Sequence, residues 1–193
     1  MDFEMRALFQ EAFKLLSERS PTSRPRRGDP VFDFFKKFQI LLQNLPFSFG
    51  FEDYVAEASV GKGGWAAVPW IGFRSERDTT NFQTGLFVVY LLSPDFERFY
   101  LAIIQGVKDR NLAELTKGAK VIRKEIEKPE GFVDGIEGAL TRSFSVGSLP
   151  YLYEKAVVFS KKYYLDQIPE ESKLRNDLKN VLTAHQSSRS GVS

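Results

Sequence analysis

The chain has 193 residues, no cysteine, one histidine and a formal net charge of +2. That length suits one compact domain, which buries about 70% of its unfolded surface and needs no covalent staple. The composition excludes disulfides and thiolate metal sites, leaves little room for Ser-His-Asp or Cys-His nucleophile systems or ordinary zinc sites, and contains no apolar run long enough to cross a membrane.

Residues 3–17 place Met5, Leu8, Phe9, Ala12, Phe13 and Leu16 at helical spacing and predict an amphipathic helix. Residues 17–28 read as a loop broken by Pro21 and Pro25. Asp29-Pro30 then reads as N-cap and first helical residue. The following helix aligns Val31, Phe34, Phe35, Phe38, Leu41, Leu42 and Leu45 and is expected to stop before Pro46.

From Asp53 the hydrophobic period changes to two. Tyr54 to Val60 predicts a strand, Gly61-Lys62-Gly63-Gly64 a tight turn, and Trp65 to Phe73 a second strand. Pro69 inside that run implies an edge or a bulge. Arg74 to Gln83 reads as a polar loop. Gly85 to Leu92 and Phe96 to Gln105 predict a hairpin across Ser93-Pro94-Asp95, and their near-continuous apolar character predicts a sheet covered on both faces.

Asn111 to Glu127 predicts a basic amphipathic helix, ended by Lys128-Pro129-Glu130-Gly131. Gly138 to Ser145 reads as a further strand. Leu152 to Tyr164 is ambiguous: Leu152, Ala156, Phe159 and Tyr163 suit a helix, while Ala156 to Phe159 suits a strand. Pro169 to Ala184 predicts the last helix. His185 to Ser193 reads as a polar tail, with His185 as surface filler, so the domain is expected over residues 1–185 and a tail or linker over 186–193. The sum is an α+β domain with a mostly antiparallel, curved sheet flanked by helices.

Little catalytic chemistry is visible. Gly61-Lys62 lacks the earlier glycine and the following Ser/Thr of a phosphate loop. Asp95 and the Glu171-Ser172-Lys173 triplet resemble nuclease carboxylates only if Glu171 is forced from a helix start onto a strand. No catalytic residue, metal site or cofactor is expected. A net charge of +2 is mild for a nucleic-acid binder, so any basic surface must be local. Arg19, Arg24, Arg26 and Arg27 form one cluster, and Arg98 to Lys124 holds another. The two tryptophans, Trp65 and Trp70, flank a proline beside the glycine loop. They serve either as core aromatics or as a stacking platform for a planar ligand.

The order Gly61-x-Gly63-x-Trp65, Pro69-Trp70, a polar loop, the Gly85 to Leu92 strand and Asp95-Phe96-Glu97 resembles the N-terminal DNA-recognition domain of McrB-type modification-dependent restriction systems. The matching block covers about residues 57–106, with a weaker likeness around Asp177-Leu178 and Leu182. The resemblance implies a non-catalytic domain that reads modified double-stranded DNA, characteristically 5-methylcytosine, by flipping the base into a pocket. It implies that Trp70 stacks on the base, that Phe87 and Leu91 line the pocket, and that the loop Gly61, Lys62, Gly63, Gly64 and Trp65 enters a groove. Lys62 stands at the loop tip in place of a bulky wedge. Arg74, Arg77, Lys108 and Arg142 are the expected phosphate contacts. An AAA+ GTP-hydrolysing motor domain and a separate nuclease subunit are the implied partners, in the cytoplasm and with no membrane. Two rival readings stay open: an RNA or single-stranded nucleic-acid module, and a protein–protein adaptor.

Overall fold

The computed structural model describes residues 4–19, 22–136, 140 and 145–188. Its elements follow the order α1 (Met5–Glu18), α2 (Pro30–Ser48), β1 (Tyr54–Ser59), β2 (Trp70–Ser75), β3 (Leu86–Leu92), β4 (Arg98–Gln105), α3 (Leu112–Glu125), β5 (Val133–Asp134), α4 (Leu149–Ala156), β6 (Val157–Tyr164), a 3-10 turn (Leu165–Gln167) and α5 (Glu171–Ser187). The sheet runs β1-β2-β3-β4-β6-β5 and every pairing is antiparallel. This is the expected α+β class.

Strand alternation splits the core into two layers. Ile71, Phe73, Val88, Tyr90, Leu92, Phe99, Leu101 and Ile103 face α1, α2 and α5. Phe87, Val89, Leu91, Tyr100, Ala102 and Ile104 face the other way, toward Leu115 of α3 and Ala156 of α4. The apolar runs of β3 and β4 thus serve both faces, as their lack of alternation implied. On the first face Phe9 stacks on Phe99 at 4.1 Å, and Phe99 stacks on Tyr163 at 4.9 Å. Each such ring contributes about 1.5–3 kcal/mol when fully buried.

Local signals explain most boundaries. The Asp29 carboxylate accepts from the Val31 and Phe32 N–H groups, with Pro30 at the first helical position. Asn111 and Glu114 form a reciprocal capping box on α3. The free edge of β1 is covered by α2: Gln43 Oε1 accepts from Ala56 N–H and its Nε2 donates to the Tyr54 carbonyl, while Gln39 Oε1 accepts from Ala58 N–H. Glutamines one helical turn apart thereby occupy an edge that would otherwise invite pairing with another chain.

Four expectations need correction. Helix α2 continues through Pro46 to Ser48, because a proline in the last turn removes only one bond and the Phe49 and Phe51 N–H groups still find carbonyls there. Residues 65–69 are irregular, and β2 begins only at Trp70, as an interior strand rather than an edge. The ambiguous segment is both alternatives in succession, since α4 passes directly into β6 at Ala156-Val157. His185 is no surface filler: it is 1% exposed, its Nδ1 lies 2.6 Å from the Tyr54 hydroxyl, and its Nε2 lies 2.9 Å from the Leu86 carbonyl. Helix α5 runs past it to Ser187. The expected strand at 138–145 falls almost wholly outside the described residues, as does the tail from 189 onward.

A buried carboxylate ties α5 to the sheet. Asp177, 1% exposed, accepts from the Tyr163 hydroxyl at 2.9 Å and pairs with Lys161 at 2.8 Å and Lys173 at 3.1 Å. Its charge is fully partnered, as a buried carboxylate requires. Among the described residues no helix is long and apolar enough to cross a membrane.

Candidate nucleic-acid interface

The glycine loop closes on itself through the Ala66 N–H, which donates to the Val60 carbonyl at 2.7 Å. Gly61 sits at φ +113°, and a β-carbon there would lie 2.0 Å from the Gly64 carbonyl oxygen. Only glycine fits so tight a reversal. Gly63, at φ +76°, has open space around it, and Lys62 and Gly64 are exposed. The loop therefore projects Lys62 outward from a constrained base.

Trp65 anchors the loop. Its indole N–H donates to Ser23 Oγ at 3.1 Å, and the Arg19 guanidinium lies over its ring at 5.2 Å and over Phe96 at 5.0 Å. Partial burial lowers the Arg19 pKa. The ring packs against the first core layer, so Trp65 joins the loop to the end of α1 and to the β3–β4 hairpin.

Trp70 has a different setting. It is half-buried at the start of β2, with Phe82 at 5.1 Å and a 43° tilt. Tyr153 of α4 packs on the same core layer beside it; burial pushes the Tyr153 hydroxyl above the usual tyrosine range, against the opposing effect of the nearby indole. The Trp70 ring thus packs against Phe82 while one part borders open space. That space is a cavity of about 640 Å³ walled by Trp70, Phe82, Tyr153, Glu57 and the glycine loop, within the size range of small-ligand sites.

A second cavity of about 510 Å³ lies between α2 and the β1 side of the loop, and includes Lys36, Gln39 and Arg74. Both cavities are bordered by Glu57, Ser59, Gly61, Lys62 and Phe82. The loop and Phe82 therefore stand between two hollows over the β1–β2 end of the sheet.

The expected site residues are not all gathered there. Trp70, Trp65, Gly61, Lys62 and Gly64 border the larger cavity. Phe87 and Leu91 do not reach it: they are 6% and 1% exposed and form the floor beneath. The covering residue is Phe82, set edge-to-face on Phe87 at 5.0 Å. Arg74 borders the smaller cavity, where its Nη1 donates to the Thr79 carbonyl at 2.8 Å and its guanidinium faces Phe82 at 5.8 Å. Arg77 is exposed and lies 3.7 Å from Asp53. Lys108 is exposed next to the larger cavity, its N–H donating to the carbonyl of Gln83, a wall residue. Arg142 lies outside the described residues.

Among the wall residues that escaped the sequence reading are Phe82, Tyr153 and Glu57. Phe82 left one signal. Gly72 interrupts β2, and a β-carbon there would lie 2.5 Å from the Phe82 ring. A glycine inside a strand marks such a close approach. Among the described residues no group of three or more His, Cys, Asp or Glu could hold a metal ion. Asp95 is bonded to Ser93 and Arg98 within its hairpin, and Glu171 accepts from Arg175 at 2.5 Å on α5.

Among curated proteins none matches the chain. A family model, described as MrcB-like, N-terminal domain, matches residues 22–189 and so takes in every strand, both cavities and the glycine loop. With most of its length matched, the chain belongs to the MrcB-like N-terminal domain family, which associates it with McrB-type restriction systems.

Proposed function

We propose that this domain recognises modified double-stranded DNA by taking one methylated base, 5-methylcytosine in the first instance, into the cavity beside the glycine loop. The observation that carries the reading is Trp70: a half-exposed indole, packed against Phe82, bordering with Tyr153 a hollow large enough for a nucleobase. A base stacked on an aromatic ring gains about 1–3 kcal/mol. A methyl group buried against apolar walls adds about 0.8 kcal/mol. Extrusion lets the protein inspect all edges of the base, which a groove contact does not allow.

The remaining parts take consistent roles. The exposed Lys62 enters the groove, because Trp65 is committed to Ser23 and Arg19. Arg74, Arg77, Lys108 and Arg142 supply phosphate contacts, which give affinity without reading sequence. The domain itself is non-catalytic and acts in the cytoplasm. GTP hydrolysis by an AAA+ motor domain and DNA cleavage by a nuclease subunit complete the system.

The test is an equilibrium titration of duplexes that differ in one methyl group, at fixed salt, with the wild-type domain and Trp70→Ala. The reading expects tighter binding to the methylated duplex and loss of that preference in the folded variant. Equal binding of both duplexes by the wild type overturns it. Preferential binding of single strands or RNA points instead to a different nucleic-acid class, and no binding of any nucleic acid to an adaptor.

A further inference from the structure

We infer that Glu57 is the residue that identifies the base by its exocyclic amine, which excludes thymine from the site. The inference rests on the base-cavity reading above and adds a chemical class to it.

The difficulty it answers is plain from the chemistry. Thymine and 5-methylcytosine carry the same methyl at C5, so apolar walls cannot separate them. They differ at position 4, where cytosine has an amine donor and thymine a carbonyl acceptor. A site that reads methylated cytosine needs an acceptor placed for that amine, inside the space that holds the ring.

Glu57 meets this requirement. It is the only carboxylate among the residues that wall the larger cavity, and it is half-buried there. An ionised carboxylate accepts and does not donate. Among the described residues the Glu57 carboxylate makes no hydrogen bond or ion pair; only its backbone is engaged, in the β1–β2 ladder. Of the other polar walls, Ser59 Oγ accepts from the Gly61 N–H and Asn81 Oδ1 accepts from the Gln83 and Thr84 N–H groups, Lys62 can only donate, and the Gln83 amide sits on an exposed residue at the rim.

Its position follows from the sheet. In the β1–β2 register Glu57 lies opposite Gly72, and Trp70 opposite Ser59. Glu57 and Trp70 are therefore diagonal cross-strand neighbours, about 7–8 Å apart at the backbone. Alternation turns both away from the first core layer, where Ala56 and Ile71 lie. A ring stacked on the indole presents an edge toward the carboxylate. An amine on that edge satisfies a carboxylate that loses water when the cavity fills, whereas a carbonyl there sets two acceptors against each other.

The experiment uses duplexes with 5-methylcytosine, cytosine or thymine at one position, each opposite an abasic site, so that extrusion breaks no base pair. Affinities are measured for the wild type, Glu57→Gln and Glu57→Ala, with thermal unfolding to confirm the fold. Wild type is expected to prefer 5-methylcytosine over thymine by about tenfold or more, the usual scale for a matched base edge. Glutamine both donates and accepts, so E57Q should admit thymine and reduce the ratio to within about threefold. Glu57→Ala should weaken 5-methylcytosine binding and bring its affinity to that of thymine. If both folded variants keep the wild-type ratio, the Glu57 assignment is wrong while the base-cavity reading stands. If the wild type fails to separate 5-methylcytosine from cytosine, both fall.

Discussion

Alanine substitutions along the glycine loop should separate into three grades. At Gly64 nothing lies within 4 Å of a new β-carbon and φ is not left-handed. Gly64→Ala should therefore be neutral or stabilising by up to about 1 kcal/mol, through a less flexible unfolded chain. Gly63 has the same open space but φ +76°. The left-handed conformation costs alanine about 1–2 kcal/mol, partly offset by the same unfolded-state gain, which leaves about 1 kcal/mol of destabilisation. Gly61 adds collision to strain. Its β-carbon would meet Gly64 O at 2.0 Å, Ala66 N at 2.5 Å and the Trp65 carbonyl carbon at 2.9 Å, all of them backbone. The loop must open, and the Ala66–Val60 hydrogen bond goes with it, at about 0.5–1.5 kcal/mol. Gly61→Ala should cost about 2–3 kcal/mol in all and displace a wall of both cavities, so DNA affinity should fall as well. Urea unfolding measures the stabilities, and a DNA titration the second effect. Equal urea midpoints for Gly61→Ala and Gly64→Ala would refute this account of the loop.

Tyr54→Phe removes the 2.6 Å bond to His185 inside the core and should lower stability by about 1–3 kcal/mol in urea unfolding. At Asp95, burial alone raises the carboxyl pKa, but the bonds from Arg98, Ser93 and the Glu97 N–H outweigh it and hold the group below the usual carboxylate range. A depressed folded pKa gives stability that is present above the unfolded value of about 3.9 and is lost as pH falls through the folded one. Asp95→Asn should therefore flatten the acid side of a stability–pH curve, by less than about 1 kcal/mol because solvent screens the pair. Lys108→Ala and Arg77→Ala should each reduce the slope of log affinity against log salt by about 0.9 in duplex titrations and leave methyl preference unchanged.

The amphipathic stripes of α1 and α5 and the uninterrupted apolar runs of β3 and β4 were legible because each is set by one period facing one or two covers. The helix-to-strand passage at Ala156 was not, since two periods abut there with no glycine or proline between them. His185 looked like tail because its burial depends on Tyr54 and Leu86, about a hundred or more residues away in sequence. Of the cavity, the glycine loop and Trp70 stood out by residue type. Phe82 hid in a stretch of polar residues without periodicity. Tyr153 hid in the ambiguous segment. For Glu57, alternation separated it from Ala56 and Ala58 but gave no hint that its face of the sheet lies open. Strand alternation puts Phe87 and Leu91 on one face of β3, but the sequence does not reveal that Phe82 lies over that floor.

The protein has only two tryptophans, so Trp65→Phe leaves Trp70 as the sole indole emitter. Its fluorescence, followed alongside DNA anisotropy, reports directly on what occupies the cavity. Addition of a methylated duplex should quench Trp70 emission in step with binding, and the unmethylated duplex should leave it unchanged. Binding of the methylated duplex with Trp70 emission unaltered would contradict the stacking of an extruded base on this ring.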